Sequence, residues 1–291
     1  MTISLVTGTS TGIGLATAIR LAGEGHTVYA SMRNLAKAGP LRAAAKEARV
    51  ELEIVALDVD DDISIRDGIA AIIEREGCVD NLVNNAGIDE GDCLEETPIE
   101  TFRAVMETNF HGVIRCIHAV LPGMRARRSG CIVNVSSLTG RVPSSGASAY
   151  CASKAALEAA TECLAAEVSA FDVRVALIEP GLVLTPIFGK RRLPSPDSPY
   201  ADLYRRALAL FPKLIERGST AEDTAEAIAY AIHTEKPRLR YLVGWDAETF
   251  VDHRARMTDE EFVDMGRCES DDDFFTSFEK HFGIDVRPAK D

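Results

Sequence analysis

Residues 3–14 read ISLVTGTSTGIG, and this stretch decides how the rest of the chain is taken. Residues 3–7 are a short apolar run of the kind that forms a buried strand. Glycines follow, and then a helical pattern over 13–24. Gly8 permits a tight turn, Gly12 lets backbone approach a pyrophosphate, and Gly14 lets the helix pack closely on the strand. The helix N-terminus then offers free N–H groups and a positive dipole end to phosphates. The spacing is G-x-x-x-G-x-G, one residue longer than the usual G-x-G-x-x-G opening.

Further short apolar runs lie at 26–31, 51–57, 79–83, 131–135, 173–178 and 239–243. Most are separated by helix-like stretches, among them an amphipathic one at 220–234. That alternation predicts βαβ units and a doubly wound, seven-stranded parallel sheet with helices on both faces. Pro186, Pro194, Pro196 and Pro199 break the rhythm and suggest a flap, about 182–216, that ends in a helix over 200–216. The main unit is taken as 1–245. Residues 246–291 carry 14 acidic and 6 basic side chains, which account for −8 of the net charge of −13. Six phenylalanines in this tail (250, 262, 274, 275, 278 and 282) argue for short helices packed on the body rather than a solvating tail.

The charge shows no basic footprint for nucleic acid, and no apolar run approaches the ~20 residues that span a bilayer. Seven scattered cysteines without C-x-x-C, and an opening without a basic n-region, lead us to expect a soluble, cytoplasmic protein. The six histidines show no ligand spacing, so no metal is expected.

Tyr150 and Lys154 stand at i and i+4 in SSGASAYCASKAALEAA, residues 144–160, so they share a helical face. An ammonium beside a phenol is expected to lower the phenol's pKa and make it a proton donor near neutral pH. Ser137 precedes the tyrosine by 13 residues; NNAG occupies 84–87, Asn109 lies in ETNFHG, and PG stands at 180–181 with Thr185 close behind. About 20 residues past the glycines, where an NAD-binding unit has an acid, the chain has Ser31, Met32 and Arg33. A guanidinium there suits a 2′-phosphate, though Arg33 could also be a solvated strand end. Asp58 could accept from an adenine amino group or cap a helix.

This ordered set, over residues 1–245, resembles the short-chain dehydrogenase/reductase family. YASMRN and YCASKAALEA are similar to its NADP(H)-preferring branch of 17β-hydroxysteroid and retinol dehydrogenases. The resemblance implies that Tyr150 is the acid/base, that Lys154 holds the cofactor ribose and tunes the tyrosine, and that Ser137 bonds the substrate oxygen. Adjacent Ser136 leaves the choice of serine open. Asn109 would anchor a water that links the lysine to solvent. Gly8, Ser10, Thr11, Gly12, Ile13, Gly14, Arg33, Asp58, Val59, Asn85, Ala86, Gly87, Pro180, Gly181, Val183 and Thr185 would bind NADP, with NAD the less expected cofactor.

Leu182 and Phe188 would meet substrate. With Leu184, Ile187, Leu203, Leu208, Phe211 and Leu214 they give the flap region apolar side chains suited to a medium or bulky hydrophobic ketone or secondary alcohol. The alanines around Tyr150 would let the helix approach cofactor and a partner subunit, as a homodimer or homotetramer. The rival readings are a nucleotide-sensing protein without chemistry and an NAD(H) enzyme for a small polar alcohol.

Overall fold

Seven parallel strands form one sheet in the computed structural model, which describes residues 2–185 and 197–287. In chain order they are β1 (Ile3–Val6), β2 (Thr27–Met32), β3 (Glu53–Ala56), β4 (Asn81–Asn84), β5 (Gly130–Val135), β6 (Val173–Pro180) and β7 (Arg240–Val243). Their spatial order is β3-β2-β1-β4-β5-β6-β7, so the winding reverses between β1 and β4. In open α/β sheets a ligand crevice forms at such a switch point, beyond the strands' carboxyl ends.

Successive residues of a strand face opposite sides of the sheet, and both sides here are covered. Leu5, Leu82 and Ile132 pack on one face with α3 (Asp62–Glu76), α5 (Gly112–Arg127) and α6 (Ser148–Val168). Their neighbours Val6, Val83 and Val133 pack on the other, with α1 (Gly12–Gly23), α2 (Gly39–Ala48) and α9 (Ala221–His233). Continuous apolar strands follow from burial on both faces.

Asp61 caps α3 by accepting from the N–H groups of Ile63 and Ser64, at 2.8 and 3.0 Å. The cap is therefore Asp61, three residues beyond Asp58, which frees Asp58 from that alternative.

The helix expected over 200–216 is two: α7 (Ala201–Ala209) and α8 (Phe211–Glu216). Pro212 explains the break, because it has no N–H and its ring clashes with the carbonyl four residues earlier. It sits instead in the first turn of α8, where a missing donor costs nothing. The flap's Pro186, Ile187, Phe188, Pro194 and Pro196 lie outside the described residues.

Beyond β7 the chain forms α10 (Trp245–Arg254), α11 (Asp259–Asp264) and α12 (Asp271–Phe282). Phe250, Phe274, Phe275, Phe278 and Phe282 build a third apolar cluster, onto which Leu210 and Leu214 pack from the α7–α8 pair and Val142 from the segment after β5. Phe262 stays outside it, under the Arg254 guanidinium. Among the described residues no helix is long and apolar enough to cross a membrane.

Candidate active site

The turn from β1 into α1 is pressed against the exit of β4. Gly8 has φ +72°, and a Cβ on it would fall 2.7 Å from Ala86 Cα. Gly12 has φ +60°, and its Cβ would meet Thr185 at 3.2 Å. Only glycine meets both demands. A Cβ on Gly14 would strike Asn85 and the Gly8 carbonyl, so its smallness serves this turn and not a general helix–strand contact.

Thr7 ties the two segments together: its Oγ1 accepts from the N–H groups of Asn85 and Ala86 at 3.0 and 3.1 Å. The Asn85 amide returns bonds to the carbonyls of Thr7 and Gly8, at 2.9 and 3.2 Å. Thr11 precedes α1 without making a side-chain cap bond. The first-turn N–H groups of α1 are thereby left to a ligand.

A cleft of about 310 Å³ begins at this turn. At one end it is lined by Ser10, Arg33, Asp58 and Val59, at the middle by Gly8, Thr11, Gly12, Ile13, Asn85, Ala86 and Gly87. At the other end stand Ser137, Tyr150, Lys154, Pro180, Gly181, Val183 and Thr185. Gly14 and Asn109 lie behind this surface. Leu182 is buried and does not line the cleft, so a direct substrate contact for it gains no support. Phe188 lies outside the described residues.

Arg33 projects into solvent, 70% exposed, with its nearest acid, Asp60, at 3.9 Å. Lys37 and Asn34 line the same end, so a second cation stands beside Arg33. Sequence reading missed Lys37, which belongs to no motif, and Asp60, whose Oδ1 is buried without a partner. Burial pushes the Asp60 carboxyl above its usual range, helped by the neighbouring Asp58, while Thr108 and Arg33 pull it down.

Lys154 is 5% exposed and donates to the Val135 carbonyl at 2.8 Å. Burial lowers its pKa to about 8, against the opposing pull of Glu158 and Asp89. The Tyr150 phenol moves the other way from the expectation: burial and the charge of Asp89 raise its pKa above the usual value. Lys154 cannot offset this, because its ammonium is aimed at Val135 and lies 5.7 Å from the tyrosine ring centroid.

A hydrogen bond with Ser137 favours ionisation of the phenol. Ser137 Oγ accepts from Thr139 N and Thr139 Oγ1 at 3.2 and 3.0 Å, which leaves its own proton for the phenol. The Ser136 hydroxyl is buried without a partner. Of the two serines, Ser137 therefore engages the tyrosine.

Asn109 sits in a π-helical turn, Glu107–His111, between α4 (Ile99–Met106) and α5. Such turns often mark functional positions. Its Oδ1 accepts from Ile88 N at 2.8 Å, and its Nδ2 donates to Ile88 O at 2.9 Å and Ser153 Oγ at 3.0 Å. Ser153 in turn donates to the Tyr150 carbonyl at 2.7 Å. Asn109 thus links the β4 exit to the helix that carries Tyr150.

Glu24, His26 and His233 bring possible ligand atoms within 4.8 Å of one another, which positions 207 residues apart could not reveal. Both carboxylate oxygens of Glu24 are engaged, by Arg20 and by His233.

A glycine-cradled switch-point cleft lined by half-buried Tyr150, buried Lys154 and an adjacent serine suits an oxidoreductase. The chain belongs to the short-chain dehydrogenase/reductase family: the family model for short chain dehydrogenase matches residues 2–195. It falls with the 17β-hydroxysteroid and retinol dehydrogenases. It is 35% identical over 245 residues to the 3-ketodihydrosphingosine reductase of Bacteroides thetaiotaomicron, covering 83% of this chain and 87% of that protein. Retinol dehydrogenase 8 of Homo sapiens is 38% identical over 252 residues, 81% of this chain and 79% of that one. An actinorhodin polyketide ketoreductase solved with NADPH superposes with a TM-score of 0.73 at 32% identity, covering 84% of this chain and 95% of that chain.

Proposed function

We propose that this oxidoreductase transfers hydride between NADP(H) and a medium to bulky hydrophobic ketone or secondary alcohol. The observation that carries the cofactor choice is the pair Arg33 and Lys37 at the cleft end farthest from Tyr150, where NAD-binding units carry an acid. The residues fit such a dinucleotide: a side chain at Gly8 or Gly12 would fill the cradle. When bound, the nicotinamide supplies or accepts the hydride.

The chain supplies the proton and its control. A phenol held above its ordinary pKa is fully protonated at neutral pH, the form that donates to a carbonyl oxygen. Ser137 would turn its one hydroxyl proton from the phenol to that oxygen as charge builds on it. Lys154, titrating at about 8, is mostly cationic at neutral pH and, held on the Val135 carbonyl beside the cleft, would bind the cofactor ribose. Asn109 acts behind them by holding Ile88 and Ser153, the latter bonded to the tyrosine's own carbonyl.

The substrate class is supported by relatives named for 3-ketodihydrosphingosine and for retinol. Residues 1–245 act as one dehydrogenase domain, and 246–291 as an extension packed on it through the phenylalanine cluster. The assembly is a homodimer or homotetramer, for which the exposed Ala152, Ala155 and Ala159 of α6 offer a close-packing face.

Rates of NADPH and NADH consumption across a homologous series of uncharged ketones, set against pyruvate-like acids, test this. Several added methylenes raise kcat/KM about tenfold or more, at ~0.8 kcal/mol per buried CH₂. A preference for short acids would overturn the substrate class, and faster turnover with NADH the cofactor choice.

A further inference from the structure

The first turn of the C-terminal extension carries a carboxylate that the reaction scheme does not use. Asp246, in α10, is 1% exposed. Its Oδ2 accepts from Leu182 N at 2.6 Å, and the N–H groups of Asp246 and Ala247 also bond the carboxylate. Among the described residues its Oδ1 has no partner. A Cβ on Gly181 would fall 2.1 Å from that oxygen, and one on Gly244 2.6 Å. The carboxylate therefore fills a slot that two glycines leave open.

Ser219 holds the same segment from α9's side. Its N–H donates to the Leu182 carbonyl and its carbonyl accepts from Leu184 N, each at 3.0 Å. Residues 181–184 are thus fastened by their backbone on the side away from the cleft, while Gly181 and Val183 line it beside Tyr150. Burying a carboxylate with one oxygen unpaired is costly.

We infer that Asp246 is a positioning residue for the Tyr150 end of the cofactor cleft, holding the backbone at residues 181–182 beside which the proposed hydride transfer would set the nicotinamide. The inference rests on the proposed NADP(H) function. It makes the start of the C-terminal extension part of the dehydrogenase site, and it separates the two ends of the cleft. A ligand that reaches only the Arg33 end should be indifferent to Asp246.

Calorimetric titration of the full chain with NADPH and with adenosine 2′,5′-bisphosphate, which lacks the nicotinamide, tests that separation. Asp246→Ala strands the Leu182 N–H and weakens NADPH about tenfold or more, the worth of a charge-assisted bond. The bisphosphate should change less than about twofold, within the scatter expected for a site without direct contact. Asp246→Asn keeps an acceptor at the same volume and serves if the alanine variant does not fold. It shows the same split at about threefold, the scale of a neutral hydrogen bond. Equal weakening of both ligands, or of neither, would overturn the inference. Wild-type protein that binds neither NADPH nor NADH would overturn the cofactor reading, and this inference with it.

Discussion

At the β1–α1 turn the contacts that matter join neighbouring motifs: Thr7 and Gly8 against Asn85 and Ala86, with both motifs at the ends of adjacent strands. On the opposite side, α7 is tied to the C-terminal helices and to the loop after β4 by long side chains. Arg206 of α7 donates to Asp271 of α12 at 3.0 Å and to the Cys268 carbonyl at 2.8 Å, and lies over the Phe274 ring. Tyr204 of the same helix accepts from Cys93 N at 2.5 Å, in the loop after β4. The cofactor end is built by backbone geometry that few residues satisfy. The side formed by α7, α8 and the C-terminal helices is built by packing that many side chains could satisfy.

The largest expected effect belongs to the shared wall of the two regions. Tyr150→Phe removes the proton donor and little volume, so turnover should fall ~10²–10⁴-fold while NADPH binding is kept. A variant retaining half the wild-type rate would remove the tyrosine from the chemistry and leave only the cofactor end functional.

Phe278→Ala sharpens the contrast from the other side. The ring is buried, within 4.9–6.0 Å of Phe250, Phe274 and Phe282. Truncating such a residue costs ~3–5 kcal/mol. Because α7 and α8 share the cluster, the loss should appear in the single unfolding transition of the whole chain, followed by calorimetry. A second, earlier transition that leaves the nucleotide-binding core folded would show the extension to be an independent layer.

What the sequence made legible follows the same division. The strands, the glycine turn and the Tyr150–Lys154 pair obey local periods or fixed spacings, and each stands in the cleft or beneath it. Lys37, Asp60 and Asp246 belong to no spacing. They come to the cleft or its wall only because the sheet brings the elements that carry them to one edge, and no local signal could have found them. The single helix expected over 200–216 passes over Pro212, which marks the break between α7 and α8. The direction of the Tyr150 pKa was not legible: burial and Asp89 decide it, and neither is visible in Y-x-x-x-K.

Arg33→Asp tests whether the cofactor end is as specific as its geometry. The substitution sets a carboxylate against a 2′-phosphate, beside Asp60, and offers an acceptor to a free 2′-hydroxyl. NADPH affinity, measured by titration, should fall roughly 10–100-fold, the range of one or two charge-assisted bonds, with NADH little changed or gaining. Equal losses for both cofactors would make Arg33 a structural residue of that edge and leave Lys37 as the discriminating cation.

The smallest effect lies beneath the sheet, away from both regions. His26 is buried with its Nδ1 2.7 Å from Ser4 Oγ, which also accepts from Asn81 at 3.0 Å. His233 meets its ring edge to face at 5.0 Å. Burial lowers the His26 pKa, and His233 lowers it further, while Glu24 and Asp80 oppose. The folded state therefore holds His26 neutral at a pH where the unfolded chain has begun to bind a proton. Stability should fall as pH drops through the unfolded value near ~6.5 and level off below the folded one. His26→Gln removes that titration, so between about pH 7.5 and pH 5.5 it should lose less stability than the wild type, by under about tenfold in the folding equilibrium. Parallel losses in denaturant melts of the two proteins would show that the histidine protonates freely. The edge where β1, β2 and α9 meet would then be looser than the close contacts of the cofactor turn.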